Sequence, residues 1–227
     1  MLFSTAIVGH SFVSCTNFFK NETGYYCQGF PRSYADLLME GGETFAYSIT
    51  GQSVKSPCSP KATKDAYTSQ YPISQVKSGS QITLSWPSAG HTAGDEKAMT
   101  PSPVDVYWSK TSASEPKTLA EWKATPVATG LTFSNCLSGN VLCTGNVTIP
   151  EASPGVYAFF WIWANYTSCF DYQISENPVN TAISNINITS PPGSDMGDMD
   201  MGDNKKNSAT VPSYFAILGI VAAITIQ

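Results

Sequence analysis

The sequence predicts an all-β chain, an immunoglobulin- or fibronectin-like two-sheet β-sandwich with long loops. Aromatic residues make up 12% of the 227 positions and charged ones only 13%. Several short runs alternate apolar and polar residues, whereas no long stretch repeats apolar residues at i, i+3, i+4 and i+7. Gly, Pro, Ser and Thr separate the runs, and many short strands between turns argue for two packed sheets.

In chain order, His10 to Tyr26 reads as a first strand and loop, and Gln28 to Arg32 as a turn. Ala46 to Ile49 and Ala66 to Gln75 read as irregular, with Cys58 in a loop between Pro57 and Pro60. Gln81 to Trp86 alternates as a half-buried strand does. Pro87 to Asp95 then forms a loop, which puts His91 just past a strand end. Val104 to Trp108 alternates again. Leu131 to Phe133 and Gly145 to Ile149 flank Cys136 and Cys143, a pair placed to close a local loop. Gly155 to Trp163 is the most apolar run of the domain. Its aromatic content and the preceding Pro154 make it a central strand rather than a helix. Cys169 to Ile174 continues the sheet.

Charge excludes one class of partner. The net charge is −5, and no basic cluster exceeds Lys205-Lys206, so nucleic-acid binding has no electrostatic footing. The six cysteines show no CxxC spacing, which speaks against zinc. Their even number suits three disulfides, with Cys15 and Cys27 close enough for a local ring. Four N-glycosylation triplets begin at Asn21, Asn146, Asn165 and Asn187. Cysteines and acceptors together point to the secretory route, and the chain is expected outside the cell.

Both termini differ in composition from the middle. Residues 1–9 are small and apolar and end in Gly9, like the tail of a signal peptide truncated at its start. Residues 10–189 form the predicted sandwich domain. Residues 190–207 are a linker with an acidic Met/Asp/Gly run from Asp195 to Asp203. That run offers soft thioethers to Cu(I), but its Asp and Gly content suits a solvated spacer. Residues 208–227 are apolar at their end and shorter than the ~20 residues of a spanning helix. They read as a GPI-attachment signal with Asn207 the best candidate site, or as a short membrane anchor.

Candidate chemistry begins at His10, one of two histidines in the chain. Cleavage after Gly9 makes it the first residue, with a free α-amino nitrogen and a ring nitrogen for one metal. With His91 the donor set is three nitrogens from two residues, a T-shaped arrangement that suits one copper ion. The bland reading is that His10 is an ordinary strand residue. A third element is Tyr166, three residues before Cys169, which is placed to sit beneath copper in an axial position; otherwise it is a buried core tyrosine.

Taken together, His10, then His91 followed by Pro103-Val104-Asp105-Val106-Tyr107, then Tyr166 with Cys169, resemble the lytic polysaccharide monooxygenases. The strand opening Gly155-x-Tyr157 is similar too. The opening His10 to Cys15, with Cys27 to Arg32, more resembles the oomycete-type subgroup known for oxidative pectin cleavage. The resemblance implies oxidative cleavage of glycosidic bonds in pectin, cellulose or chitin with O2 or H2O2. His10, His91 and Tyr166 are then the catalytic and metal-binding set, supplied by an external electron donor. It also implies a Cys58–Cys169 disulfide, leaving Cys15–Cys27 as the third pair beside Cys136–Cys143. A monomer is expected, touching a membrane only through a C-terminal lipid anchor. Three departures stand out: Thr92 to Ser102 is inserted after His91, Ala164 occupies the place of a hydrogen-bonding glutamine, and the family's additional histidine near the site is missing. Asn165 and Gln173 are the candidates to replace that glutamine. Tyr25, Tyr26, Phe30 and Trp108 are candidates to stack on sugar rings, and Lys20 and Arg32 to meet an anionic glycan. Two other functions fit the same residues: a copper-handling protein without glycan oxidation, and a GPI-anchored cell-wall or adhesion domain without metal.

Overall fold

The computed structural model describes residues 11–32, 34, 47–49, 56–60, 62–63, 67–88, 103–112, 114–137, 142–179 and 184–185. The chain divides into two units, residues 1–195 and 196–227, and every described residue belongs to the first.

Two sheets face each other across a shared apolar core. The larger is built on β10 (Gly155–Trp163) and β11 (Tyr166–Ile174), a nine-residue antiparallel hairpin in continuous register. Around it lie β6 (Val104–Trp108) and β7 (Pro126–Leu131) on one side. On the other, β3 (Tyr47–Ser48) runs antiparallel and β4 (Ser74–Val76) parallel to β11. The second sheet is β5 (Gln81–Pro87), β9 (Leu142–Thr148) and β8 (Cys136–Leu137). A third, small sheet consists of the hairpin β1 (Phe18–Asn21) and β2 (Gly24–Cys27) with β12 (Ser184–Asn185).

Period-two alternation explains the layering. On β10, Tyr157, Phe159, Trp161 and Trp163 point to the second sheet, where they meet Leu84, Trp86, Cys143 and Val147. The alternate residues Ala158, Phe160 and Ile162 point away from it, and Trp122 covers them. Both faces of the run are therefore buried, which is why it is apolar throughout rather than alternating. Trp122 comes from a short helix, α1 (Leu119–Lys123), and meets Phe160 edge-on at 5.2 Å. A capping box starts the helix: Glu121 N–H donates to Thr118 Oγ1 at 3.2 Å, and Thr118 N–H to Glu121 Oε2 at 3.3 Å.

The strand bounds correct several sequence expectations. Residues 11–17 form no strand of their own; they pair with β5 only at the bridge Cys15–Ser85, and the first strands are the β1–β2 hairpin. β3 and β4 fall inside stretches read as irregular, because two or three residues are too few to show a period. α1 and most of β7 were not anticipated; five residues of helix hold barely more than one turn. Gly29 is required by close approach, since a Cβ there would lie 1.7 Å from Ser74 Oγ.

Disulfides join Cys15 to Cys27, Cys58 to Cys169 and Cys136 to Cys143, with Cα separations of 5.7, 5.4 and 3.8 Å. No helix among the described residues is long and apolar enough to cross a membrane.

Phe159 is fully buried between the sheets, so Phe159→Ala should cost about 3–5 kcal/mol by denaturant unfolding. Replacing both Cys58 and Cys169 by Ala should cost about 2–5 kcal/mol, because a 111-residue loop is released. Losses of only a few tenths in either case would contradict this account of the core.

Candidate functional site

β11 meets different parts of the chain with its two faces. Its inner residues Tyr166, Ser168, Phe170 and Tyr172 turn toward the second sheet, and its outer residues Thr167, Cys169 and Asp171 turn away.

The inner face holds the start of the described chain. Ser11 is fully buried, and its Oγ donates to Pro87 O at 2.6 Å. Val13 N–H donates to Ser168 Oγ at 3.2 Å. Ser14 N–H donates to Ser85 O at 2.9 Å, and Ser85 N–H to Cys15 O at 3.0 Å. Tyr172 OH donates to Thr16 O at 2.5 Å. Residues 11–16 are thus wedged between the edge of β5 and the inner face of β11, with their polar groups satisfied by both.

His10 and His91 lie outside the described residues, as do Asn187 and Asn207. The described neighbours of the two histidines nevertheless meet. Ser11, next to His10, bonds Pro87, four residues before His91. Beyond His91 the described residues resume at Pro103, and the next residue, Val104, has Trp163 as its register partner. Trp163 pairs with Tyr166 across the β10–β11 turn, and their rings stack at 6.0 Å and 20°. Tyr166 is half-buried and touches both the inter-sheet core and the cluster formed by Phe12, Phe18 and Phe30. The described chain flanking all three predicted residues therefore gathers at one end of the sandwich. Among the described residues no group of three His, Cys, Asp or Glu could hold a metal.

Several other site expectations are corrected. Gln173 lies seven positions beyond Tyr166 on β11, about 23 Å away along the strand, so it cannot replace the missing glutamine. Asn165 sits in the exposed turn beside Tyr166, and its carbonyl accepts from Ile49 N–H at 2.8 Å. Phe30 is 4% exposed and packs on Tyr34 and Tyr71, so it cannot offer a face to sugar. Trp108 packs against Tyr157 and Phe159 of the core. Tyr25 and Tyr26 remain half-exposed on the β1–β2 hairpin.

Arg32 is the largest revision. It is 3% exposed and forks onto Asp171, with Nε to Oδ2 at 2.7 Å and Nη2 to Oδ1 at 2.5 Å. Nη2 also meets Glu115 at 2.7 Å, and Tyr67 OH donates to Asp171 Oδ2 at 2.8 Å. Burial works against the arginine's charge, but the hydrogen bonds and opposite charges of Asp171 and Glu115 outweigh it and hold its pKa above the ordinary value. Burial, then the charge of Asp171, pushes the Tyr67 hydroxyl well up. Arg32 is thus spent inside the protein, while Lys20 is exposed. Arg32 stands 139 residues from Asp171, a pairing that no local pattern signals.

No protein-family model matches the sequence, and no curated protein matches it. Among solved structures the chain is similar to a cellulose-active lytic polysaccharide monooxygenase in complex with copper, at 16% identity and a TM-score of 0.43. That alignment covers 74% of this chain and all (100%) of the other. It is similar to a Bacillus amyloliquefaciens CBM33 protein in complex with Cu(I), at 12% identity and TM-score 0.40, covering 73% of this chain and 100% of that one. A third is the catalytic domain of a Listeria monocytogenes lytic polysaccharide monooxygenase, at 16% identity and TM-score 0.38, covering 73% and 99%.

Asp171→Asn should destabilise the protein by about 3–5 kcal/mol, because Arg32 keeps its charge without its main partner. Stability should also fall as pH rises above about 10. There the unfolded chain loses tyrosine protons while Tyr67, Tyr34 and Tyr172, all with raised pKa values, keep theirs. Denaturant midpoints measured across this range check the sign, and Tyr67→Phe should flatten the slope.

Proposed function

We propose that the chain is a secreted copper-dependent polysaccharide monooxygenase. One copper would be held by the α-amino and ring nitrogens of His10 and by His91, with Tyr166 beside them. The observation that carries this is the bond from Ser11 to Pro87 beside the Val13–Ser168 contact. Covalent geometry puts His10 one residue, about 3.8 Å in Cα, from Ser11. His91 is four residues from Pro87, so its Cα lies at most about 14 Å away. Tethers of this length would allow both histidines to meet near the start of the strand at Tyr166. Neutral nitrogen donors and an aromatic hydroxyl are a set that copper accepts in both oxidation states.

When bound, copper supplies the redox chemistry by which O2 or H2O2, with an external electron donor, oxidises a glycosidic C–H. The chain's own residues do the rest. His10 must be the first residue of the mature protein, because an amide nitrogen there is neither basic nor a ready ligand. Its amine has an unperturbed pKa of about 7.7–8.0 and must lose its proton on binding metal. The buried Ser11 bond holds the residue that follows His10, and the Trp163 ring packs on Tyr166 from one side. The substrate is a polysaccharide; with Arg32 buried, pectin has Lys20 and not Arg32 to meet. The chain would travel the secretory route with a leader over residues 1–9. A spacer over 190–207 and a lipid anchor near Asn207 would follow the 10–189 domain.

The test is N-terminal sequencing of the secreted protein beside copper titration of three forms: mature, extended by one residue before His10, and His91→Ala. The mature form should start at His10 and bind one copper with release of a proton near neutrality. Both altered forms should bind far more weakly. Tyr166→Phe should bind nearly as tightly as the mature form but change the copper spectrum. Equal affinity in the extended form would end the proposal. Copper binding without sugar oxidation would select metal handling, and no copper binding would select an adhesion domain.

A further inference from the structure

The β1–β2 hairpin carries a feature that the copper chemistry does not use. Its two faces differ. Phe18 and Tyr25 stack at 5.8 Å on the face that joins the Phe12 and Phe30 cluster. The opposite face presents Phe19 and Tyr26, cross-strand partners whose rings stack at 5.3 Å and 23°. Both are half-buried, and neither belongs to any of the three apolar clusters among the described residues. An aromatic pair outside every core is apolar area in want of a cover.

Asn21 stands two residues after Phe19 on the same strand face, and it begins the acceptor triplet Asn21-Glu22-Thr23. Its Oδ1 accepts from Thr23 N–H at 2.8 Å, from the Thr23 hydroxyl at 2.8 Å and from Gly24 N–H at 3.1 Å. The one hydroxyl proton of Thr23 is thereby used, so Tyr26 OH donates to Thr23 Oγ1, at 2.5 Å. A single hydroxyl thus ties the Asn21 amide to the Tyr26 ring. The carboxamide nitrogen Nδ2 has no partner among the described residues.

We propose that Asn21 carries an N-linked glycan whose first N-acetylglucosamine lies over the Phe19–Tyr26 pair and completes the hairpin. This rests on the secretory part of the reading above and not on copper. In the transfer, Nδ2 bonds to C1 of a lipid-diphosphate-linked oligosaccharide. The C1–oxygen bond breaks, the lipid diphosphate leaves with the electron pair, and Nδ2 releases one proton. The sugar then sets its apolar C–H face on the rings and removes them from water, while its hydroxyls stay solvated. The tether decides the occupant: a sugar on Asn21 is held one strand repeat, about 7 Å, from Phe19.

The protein is secreted from a host that adds high-mannose glycans, and occupancy at Asn21, Asn146 and Asn165 is read by peptide mass spectrometry. Thermal midpoints are compared for the full glycan, for glycan trimmed to one N-acetylglucosamine, and for complete removal by an amidase. Asn21 should be occupied, and the single-sugar form should keep the native midpoint. Complete removal should lower it by about 2–4 °C. That drop should vanish in Asn21→Gln, which leaves both rings in place, and in Phe19→Ala, which keeps the glycan. An empty Asn21 beside a filled Asn146 or Asn165 overturns the proposal, and so does an equal drop in Phe19→Ala. If all three are empty in a secreted protein that still starts at His10 and binds copper, this inference falls and the copper reading stands.

Discussion

The wedge of residues 11–16 between β5 and β11 is the constraint on which the candidate site depends. An N-terminal segment ordinarily frays, because little holds its backbone and ordering it costs about 1–2 kcal/mol per residue. Here backbone bonds from Ser14 and Cys15 to Ser85, the Ser168 and Tyr172 hydroxyls, and the Cys15–Cys27 bridge restrain it from two sides. Three of these six residues are Ser or Thr, and each is buried with a hydrogen-bond partner. Small hydroxyl side chains let the segment lie against two strands at once without leaving a polar group unpaired. Residues 11–16 are thereby held against the end of β5, four residues before His91.

β11 makes this possible because its outer face is tied just as firmly. Thr167 Oγ1 donates to Pro57 O at 2.5 Å, Cys169 is bridged to Cys58, and Asp171 holds Arg32 and Tyr67. Three successive outward positions thus anchor Pro57, Cys58 and Tyr67 of the stretch between β3 and β4, and Asp171 also holds Arg32, which precedes β3. A buried ion pair contributes less net stability than its short distances suggest, because both charges lose their hydration. Its geometry, with two parallel bonds, instead specifies where residue 32 must lie. The two faces of one strand therefore help to set the position of residues 11–16 and of Arg32.

Aromatic residues divide into two populations with different roles. Phe159, Trp161, Trp86, Phe170 and Tyr172 form the inter-sheet core, where edge-on and offset contacts fill the space between sheets. Phe19 and Tyr26, and the stacked Trp163–Tyr166 pair, stand at the margin of that core or outside it. Each marginal pair joins the two strands of an antiparallel hairpin. Ala164 in the β10–β11 turn adopts φ 50°, a conformation that an alanine takes only under the pull of the surrounding register. The turn beside Tyr166 is thus fixed by the long hairpin that feeds it rather than by its own residues.

From residues alone, the all-β class, the central strand Gly155–Trp163 and the strand Val104–Trp108 were legible, since their period and composition are local properties. The candidate set His10, His91 and Tyr166 was proposed from residues alone, since two histidines leave few combinations; of the three, only Tyr166 lies among the described residues. Strands of two or three residues, such as β3 and β4, were not, because they exist only as partners of β11. Nor was the burial of Phe30 and Arg32, which depends on Tyr71 and Asp171 arriving from elsewhere in the chain. Local sequence dictates what a residue can do, through its shape, charge and period. Which of those capacities is used is decided by contacts across a hundred residues or more, and only the folded sheets bring those contacts together.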